Sequence, residues 1–496
     1  MNQLDIPDPC VLVIFGASGD LAARKLIPSI ERLATFKRLP ERFSVVGVAR
    51  TAMTDETFRA HCRAAVGDDH TSPEWKRLLA EIRYVSGGYD DPATYQTLAK
   101  VLDELDGSLG TAHNRAFYLS TPPSLFGEIA RNIGKAGLND ESNGGWSRIV
   151  IEKPFGWDEA SSQDLYRDIS QAFDEPRIFR IDHYLAKDTV QNLLALRFGN
   201  SIFEPIWNRT WVDHVQITVA ETLGVGTRGG FYESAGAMRD IVQNHVLQVL
   251  ALFLMEPPTT FHAEAIRDEK LKLLRSIRIW ETDEEIAANT VRGQYTRGGT
   301  REELMPGYRE EPGVDPLSNT ETFVAMRLEI NNWRWAGVPI YVRTGKRLPE
   351  RKTEVAIQFQ RPPQLPLFPD SEEAREPDAL IVQVQPHEGL SLRFGAKVPG
   401  LKFELRKASM DFAYGAGFES DHYPDAYERV ILDALRGDPT LFIRADEVGR
   451  SWRIVDPILR HWNNDRTPVP LYQAATWGPA QADQLIEQDG RAWRDA

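Results

Sequence analysis

Cysteine is nearly absent from this chain: of 496 residues, only Cys10 and Cys62 carry a thiol. A disulfide framework therefore cannot hold the fold together, which is typical of a reducing compartment. Basic charge is also in short supply, because 72 acidic residues against 58 Lys and Arg leave a formal net charge of −14. Nucleic-acid phosphates attract basic surfaces, so this balance argues against nucleic acid as a partner.

Long apolar runs are lacking as well. The longest, residues 246–255, is interrupted by Gln248 and falls well short of the ~20 residues that a membrane-spanning helix needs. Residues 1–9 are polar and acidic, without the apolar core of a signal peptide. We therefore expect a cytoplasmic protein with no membrane partner.

The length indicates two domains, since single cores rarely grow beyond roughly 250–300 residues. Up to about residue 180, continuous apolar runs alternate with segments of helical spacing. These runs are residues 10–15, 43–49, 117–120 and 148–151. Runs of this kind are typical of strands buried on both faces, and their alternation with helices predicts an α/β fold with a doubly wound, Rossmann-like sheet.

Beyond this point the pattern changes to an alternation of apolar and polar residues, which predicts an α+β domain with a large, mostly antiparallel sheet. The alternating runs are residues 212–220, 323–330, 355–359, 380–384 and 390–394. Amphipathic residues 238–253 and 426–435 would form helices that cover this sheet. Residues 361–378, rich in proline and acid, indicate an exposed loop.

A glycine-containing loop follows the first predicted strand and opens a helix. Its residues are Gly16, Ala17, Ser18, Gly19, Asp20, Leu21 and Ala22. Glycine lets backbone N–H groups approach a pyrophosphate, and the helix N-terminus adds partial positive charge. The spacing is G-x-x-G rather than G-x-G-x-x-G, so a plain tight turn is the alternative. The flanking strand and helix favour dinucleotide binding.

Arg50 follows the second predicted strand. A carboxylate at this place binds the ribose 2′-hydroxyl of NAD, whereas an arginine pairs with the 2′-phosphate of NADP. Arg50 therefore favours NADP, with NAD as an alternative cofactor and a solvated surface arginine as the alternative interpretation.

Two polar clusters lie near the end of the first half. Lys153 and Pro154 follow a predicted strand, at the strand end where α/β proteins bind ligands, although such a lysine often only reaches solvent. A helix that began near His183 would place His183 and Lys187 on one face and offer donors to a phosphate. An N-cap Asp182 before an ordinary polar turn is the alternative.

His245 lies in an otherwise apolar helical segment, where a structural histidine is the usual interpretation. Oxidation of an alcohol by hydride transfer needs a base with a pKa near the working pH, and histidine suits this role. A carboxylate would have to orient the imidazole. No acid on the same helix is clearly placed for that, which leaves Asp182 as the candidate.

Together these motifs resemble the glucose-6-phosphate dehydrogenase family. They occur in the family's order and span nearly the whole chain. The matching segments are residues 16–22, 152–156, 180–187, 239–245, 343–352 and 426–434. The resemblance implies a dinucleotide-binding domain over residues 1–182 and a domain for substrate binding and oligomerisation over residues 183–496.

The resemblance also implies roles for single residues. His245 would be the catalytic base, and Asp182 the carboxylate that orients it. The implied substrate contacts are His183, Tyr184 and Lys187 to the phosphate, Glu221 and Asp240 to the sugar hydroxyls, and the basic residues Lys153, Lys346 and Arg351. The implied cofactor contacts, besides the glycine loop, are Arg50 to the 2′-phosphate, Tyr118, Lys153 and Pro154.

The reaction implied is oxidation of β-D-glucose 6-phosphate to 6-phosphogluconolactone with hydride transfer to NADP, the first step of the oxidative pentose phosphate pathway. A homodimer or homotetramer is implied as well. Two positions depart from the family: Ala23 replaces a usual lysine, and Ala186 a commoner glycine.

Two other functions stay open. A dehydrogenase of an unphosphorylated aldose is disfavoured by the cationic His183, Lys187 and Arg351, which would have little purpose without a phosphate. A catalytically silent NADPH-binding protein is disfavoured by the intact His245 and Asp182.

Overall fold

The structure, a computed structural model, describes residues 6–67, 69–299, 304–363, 377–413 and 424–494. Most of the predicted loop at residues 361–378 lies outside these ranges. Among the described residues, no helix is long and apolar enough to cross a membrane.

The strands are β1 Cys10–Phe15, β2 Phe43–Ala49, β3 Arg83–Ser86, β4 Arg115–Leu119, β5 Ser147–Ile151, β6 Ile178–Ile181, β7 Val212–Ala220, β8 Thr290–Thr296, β9 Gly298–Gly299, β10 Leu304–Met305, β11 Phe323–Leu328, β12 Ile340–Gly345, β13 Lys352–Phe359, β14 Ala379–Gln385, β15 Gly389–Lys397, β16 Leu405–Ala413, β17 Phe442–Ile443 and β18 Leu471–Gln473.

The α-helices are α1 Ile27–Thr35, α2 Asp55–Val66, α3 Pro73–Glu81, α4 Pro92–Leu109, α5 Phe126–Lys135, α6 Glu159–Ile169, α7 Asp188–Phe198, α8 Gly229–Ala237, α9 Leu247–Leu254, α10 Ala263–Ser276, α11 Asp283–Asn289, α12 Ala426–Arg436, α13 Ala445–Asn464 and α14 Ala480–Glu487. Two π-helical segments, Ala22–Leu26 and Met238–Val246, run directly into α1 and α9.

The chain divides into two compact units. The first comprises Met1–Lys187, Pro258–Asp268 and His422–Gly449, and the second comprises Asp188–Pro257, Glu269–Asp421 and Arg450–Ala496. The first unit thus extends slightly past residue 182 and includes two segments from far along the chain. The domain boundary after residue 182 stays a prediction.

The first unit contains a seven-stranded sheet in the order β17-β6-β5-β4-β1-β2-β3. All its neighbouring strands are parallel except β17, which pairs antiparallel with β6. Every residue of β1, β2 and β4 is buried, because parallel sheets are covered on both faces. The predicted doubly wound α/β sheet is confirmed.

The second unit contains a nine-stranded sheet in the order β16-β15-β14-β13-β7-β12-β11-β8-β18. Its pairing is antiparallel except between β7 and β12 and between β8 and β18. The predicted large, mostly antiparallel sheet is confirmed. Because β7 and β12 run parallel and end together at the pair Ala220 and Gly345, the residues that follow them lie side by side.

Candidate active site

The glycine loop turns tightly against the ends of three strands of the first unit. Gly16 has a φ of +84°, which glycine adopts readily, and a Cβ there would lie 2.5 Å from the carbonyl oxygen of Ser120. The Gly16 N–H donates to the Val48 carbonyl at 2.8 Å, and the Gly19 N–H donates to the Gly16 carbonyl at 2.9 Å. The bare backbone therefore faces the start of the next helix, an arrangement that fits a pyrophosphate.

The helix after the loop begins with the π-helical segment Ala22–Leu26. Ala23, which replaces a lysine, donates its backbone N–H to the Gly19 carbonyl at 3.1 Å, so the substitution keeps the backbone turn. Asp20 forms an exposed ion pair with Arg24 at 2.7 Å. The carboxylate of Asp20 is thereby partly neutralised beside the loop.

Arg50 is exposed directly after β2. Its guanidinium carbon lies 6.0 Å from the centroid of the Tyr89 ring. The neighbouring Thr51 hydroxyl is 3.0 Å from the Ser18 hydroxyl, so the loop and the end of β2 are in contact. This location fits the predicted role of Arg50 at a 2′-phosphate.

Tyr118 is buried on β4, and its hydroxyl donates to Oε1 of Glu152 at 2.5 Å. Burial raises the pKa of Glu152, against the hydrogen bond from Tyr118 and the charge of Lys153. The tyrosine thus fixes the carboxyl that precedes Lys153 and Pro154 at the end of β5. Direct contacts of Tyr118, Lys153 and Pro154 with the cofactor stay predictions.

The predicted helix start near His183 is wrong. Residues 183–186 form a turn, and α7 begins at Asp188. The side chain of Asp182 accepts the Tyr184 N–H at 2.9 Å, and its carbonyl accepts the Leu185 N–H at 3.1 Å. Aspartate commonly stabilises a turn in this way, so the chain closes a turn here instead of entering a helix.

The three predicted phosphate contacts nevertheless lie together in the first unit. The ring centroids of His183 and Tyr184 are 5.1 Å apart, and the Lys187 ammonium is 4.6 Å from the Tyr184 ring centroid. The tyrosine ring, rather than a shared helix face, holds the two basic side chains close to each other.

Glu221 and Lys346 form an ion pair in the second unit, directly after β7 and β12. Lys346 is 3% exposed, and its ammonium also lies 5.1 Å from the ring centroid of Tyr232. The acid offsets part of the desolvation cost of burying the ammonium. The parallel pairing of the two strands is the cause of this proximity.

Arg351 is exposed directly before β13. Its guanidinium donates to Oε1 of Gln385 at 3.4 Å, a weak contact that leaves most of its donors available to other groups. Its substrate role stays a prediction.

Asp240 and His245 lie on the π-helical segment Met238–Val246. In a π-helix each N–H bonds to the carbonyl five residues earlier, so residues five apart lie on the same side of the helix. Asp240 and His245, five residues apart, therefore share one face, which they would not do in an α-helix. Asp240 is half-buried and His245 is 1% exposed. Such segments are frequent at functional sites.

Tyr232, on α8, is a further candidate site residue that the sequence did not reveal. It is buried next to Lys346. The pKa of its hydroxyl is raised first by burial and then by the negative charges of Asp240, Glu321 and Glu221. An aromatic residue on a short helix carries no local pattern that would have revealed this position. Among the described residues, no group of three or more His, Cys, Asp or Glu side chains is placed to bind a metal ion.

The first unit thus combines a parallel sheet with a glycine loop at its strand ends, and the second carries an acid, a buried lysine and a histidine close to strand and helix ends. Together these features define a dinucleotide-dependent oxidoreductase. The family model for the NAD binding domain of glucose-6-phosphate dehydrogenase matches residues 13–192, and the model for its C-terminal domain matches residues 194–494. The chain belongs to the glucose-6-phosphate dehydrogenase family.

Individual relatives agree with this assignment. The chain is 49% identical to the glucose-6-phosphate 1-dehydrogenase of Aggregatibacter actinomycetemcomitans, over 98% of this chain and 97% of that protein. It is 46% identical to glucose-6-phosphate 1-dehydrogenase 2 of Mycobacterium bovis, over 99% and 95%. A solved glucose-6-phosphate dehydrogenase in complex with its substrate glucose 6-phosphate is 33% identical, with a TM-score of 0.90 over 100% of both chains. The predicted family and enzyme class are confirmed.

Proposed function

We propose that this protein oxidises β-D-glucose 6-phosphate to 6-phosphogluconolactone with NADP as cofactor. The main evidence for a phosphorylated substrate is the turn in which His183, Tyr184 and Lys187 lie within ring-contact distance of one another. Two basic side chains and a tyrosine hydroxyl can donate hydrogen bonds to a phosphate group. Family membership supports the same substrate.

The nucleotide site fits the cofactor, since any side chain at Gly16 would collide with the Ser120 backbone, and glycine therefore keeps the tight turn that a pyrophosphate-binding loop needs. The residues of the glycine loop, from Gly16 to Leu21, would hold the pyrophosphate, and Arg50 the 2′-phosphate. When bound, NADP supplies the acceptor for a hydride from the anomeric carbon. Lys153 and Pro154 would lie at the nicotinamide end.

His245 would take the proton of the anomeric hydroxyl while the anomeric carbon gives up hydride, so that the C–O bond becomes a carbonyl. Asp240, on the same helix face, and Glu221, held by Lys346, would accept hydrogen bonds from the sugar hydroxyls. Lys346 and Arg351 would add positive charge for the phosphorylated substrate. The role of Asp182 as the carboxylate that orients the imidazole is proposed from the family resemblance.

The decisive experiment compares kcat/KM for glucose 6-phosphate and for glucose, each with NADP and with NAD, by the absorbance of the reduced nicotinamide. We expect turnover with glucose 6-phosphate and NADP that exceeds the other three combinations. Equal or better turnover of glucose would show an aldose dehydrogenase, and no turnover together with NADPH binding would show a silent binding protein. Either result would overturn the proposal.

We also propose that the protein forms a homodimer or homotetramer. The edge strand of the larger sheet, β16, exposes the apolar side chains of Met410 and Phe412, and the connection between β15 and β16 exposes Leu401 and Phe403. An exposed apolar sheet face is typical of an oligomer interface. Light scattering of the wild type and of Met410→Lys would test this, with a smaller particle expected for the variant.

The cytoplasmic location stays part of this proposal. Cys10 and Cys62 are both buried and unlinked, which agrees with a reducing compartment.

A further inference from the structure

The helix that carries Asp240 and His245 begins against a buried carboxylate from a distant part of the chain. Glu321, two residues before β11, is 7% exposed. Its Oε1 accepts the Met238 N–H at 3.1 Å, and its backbone carbonyl accepts the Ala237 N–H at 3.0 Å. The first N–H groups of a helix have no partner inside it, and a carboxylate at this end also faces the positive pole of the helix dipole.

The approach of Glu321 depends on Gly236. This residue has a φ of +62°, which residues with a side chain seldom adopt. A Cβ at position 236 would lie 2.2 Å from Oε1 of Glu321 and 2.6 Å from its Cδ. Any side chain there would push the carboxylate away from the helix start.

The segment that contains Glu321 also holds the backbone of Lys346. The carbonyl of Thr322 accepts the Lys346 N–H at 3.0 Å, and the Thr322 N–H donates to the Gly293 carbonyl at 2.8 Å. Residues 321 and 322 therefore join the start of the His245 helix to the loop after β12. The three proposed substrate residues Asp240, His245 and Lys346 thus share one support.

The place where this helix starts decides which way its side chains point. A shift of the first residue by one position would turn every side chain about the helix axis, by roughly 100° in an α-helix and by somewhat less in the wider π-helical turn. Asp240 and His245 would then both point in a direction different from the observed one. A cap that fixes the first N–H of the helix therefore also fixes the directions in which the Asp240 and His245 side chains point.

We propose that Glu321 is a positioning residue for the dehydrogenase reaction: it fixes the start, and with it the rotation, of the helix that presents Asp240 and His245. The inference rests on the proposed function of these two residues. Glu321 contacts the helix through the N–H groups of Met238 and Ala237, and its charge also reaches Tyr232 and Arg239. Burial raises its pKa, against the N–H groups that it accepts, so a neutral amide with the same acceptor oxygen should replace it well.

The test uses four variants of the full chain. Glu321→Ala removes the acceptor, Glu321→Gln keeps it, and Gly236→Ala displaces the carboxylate without removing it. Thr282→Ala is the control, because Thr282 caps α11 through the Glu285 N–H at 3.2 Å on a helix without any candidate site residue. Steady-state kinetics, thermal unfolding and hydrogen exchange of the peptide spanning Met238–Val246 are measured for each.

We expect Glu321→Ala and Gly236→Ala to lower kcat by about tenfold to a hundredfold, the range that a misplaced catalytic group produces, with KM for NADP at the wild-type value. Glu321→Gln should restore most of kcat. Exchange within residues 238–246 should rise in the first two variants only. Thr282→Ala should lose stability without a change in kcat or in this exchange.

Wild-type kcat and wild-type exchange in Glu321→Ala would overturn the proposal, as would a Glu321→Gln variant as impaired as Glu321→Ala. If Glu321→Ala fails to fold, Gly236→Ala and Glu321→Gln decide by the same readouts. An inactive wild type would refute the proposed function instead, and the exchange of residues 238–246 would still report whether Glu321 caps the helix.

Discussion

Lys346 and Glu221 pair at the carboxyl ends of β12 and β7, two strands that run parallel in an otherwise mostly antiparallel sheet. A backbone hydrogen bond joins the same two strand ends, since the Glu221 N–H donates to the Gly345 carbonyl at 3.0 Å. Lys346 is buried while the side chain of Glu221 remains 36% exposed. The pair therefore holds a buried ammonium at the strand end while its carboxylate partner stays accessible from solvent.

Lys346→Ala should raise KM for glucose 6-phosphate by about tenfold to a hundredfold, because a charge-assisted hydrogen bond contributes roughly 1.5–3 kcal/mol. KM for NADP should stay at its wild-type value. Lys272→Ala, which removes an exposed lysine of the same unit, is the control and should leave both constants unchanged. An unaltered KM for the sugar phosphate in Lys346→Ala would refute its role as a substrate contact.

His245→Asn should lower kcat by about 10²–10⁴-fold, since a general base contributes an acceleration of this size. The amide keeps a polar side chain in the buried position, so substrate binding should change little. His262→Asn replaces an exposed histidine and should turn over at the wild-type rate. Near-normal turnover in His245→Asn would assign the base to another residue.

Arg50→Ala should weaken NADP selectively. The loss of an arginine–phosphate contact costs roughly 1.5–3 kcal/mol, so KM for NADP should rise by about tenfold to a hundredfold while KM for NAD stays nearly constant. Arg63→Ala removes another exposed arginine, on α2, and should affect neither. If KM rises equally for both dinucleotides, Arg50 does not bind the 2′-phosphate selectively.

The fold was predicted best where the local sequence pattern determines the secondary structure. The observed bounds of β1, β2 and β7 coincide with the predicted runs, because short apolar runs rich in β-branched residues favour a buried strand over a helix. The assignment of Pro258–Asp268 and His422–Gly449 to the first unit was not predicted, and the expectation that the helix at residues 426–435 covers the larger sheet is wrong, because α12 packs against α1 of the first unit. Both features depend on contacts between residues far apart in sequence, which leave no local pattern.

Two features of the candidate site also escaped prediction, for the same reason. The apolar spacing of residues 238–253 predicts a helix, but over nine residues it does not separate a π-helical from an α-helical backbone, and the start is fixed by Glu321, far along the chain. At residues 183–186, the aspartate that could have capped a helix closes a turn instead. The sequence indicated which residue types form the candidate site. Their relative positions depend on contacts with residues far away in the sequence, and these could not be predicted.

Asp433 offers a prediction on stability rather than on catalysis. It is buried on α12, and burial raises its pKa to about 7, opposed by Arg429 and reinforced by Asp438. The folded protein therefore holds this proton more tightly than the unfolded chain, whose aspartates titrate near 3.8. The protonated Asp433 carboxyl therefore contributes fully to the free energy of unfolding below about pH 4. This contribution is lost as the pH rises to about 7 and stays lost above that.

Asp433→Asn, which is neutral at every pH, should escape this loss. Its unfolding midpoint relative to the wild type should rise between about pH 4 and pH 7 and stay level above that, by about 2–4 °C for each ~1 kcal/mol regained in a unit of this size. Asp103→Asn alters a largely exposed aspartate and should follow the wild type across the range. A midpoint difference that stays constant or shrinks with rising pH would mean that Asp433 is already charged in the folded protein at acidic pH, and that Arg429 and Arg436 outweigh its burial.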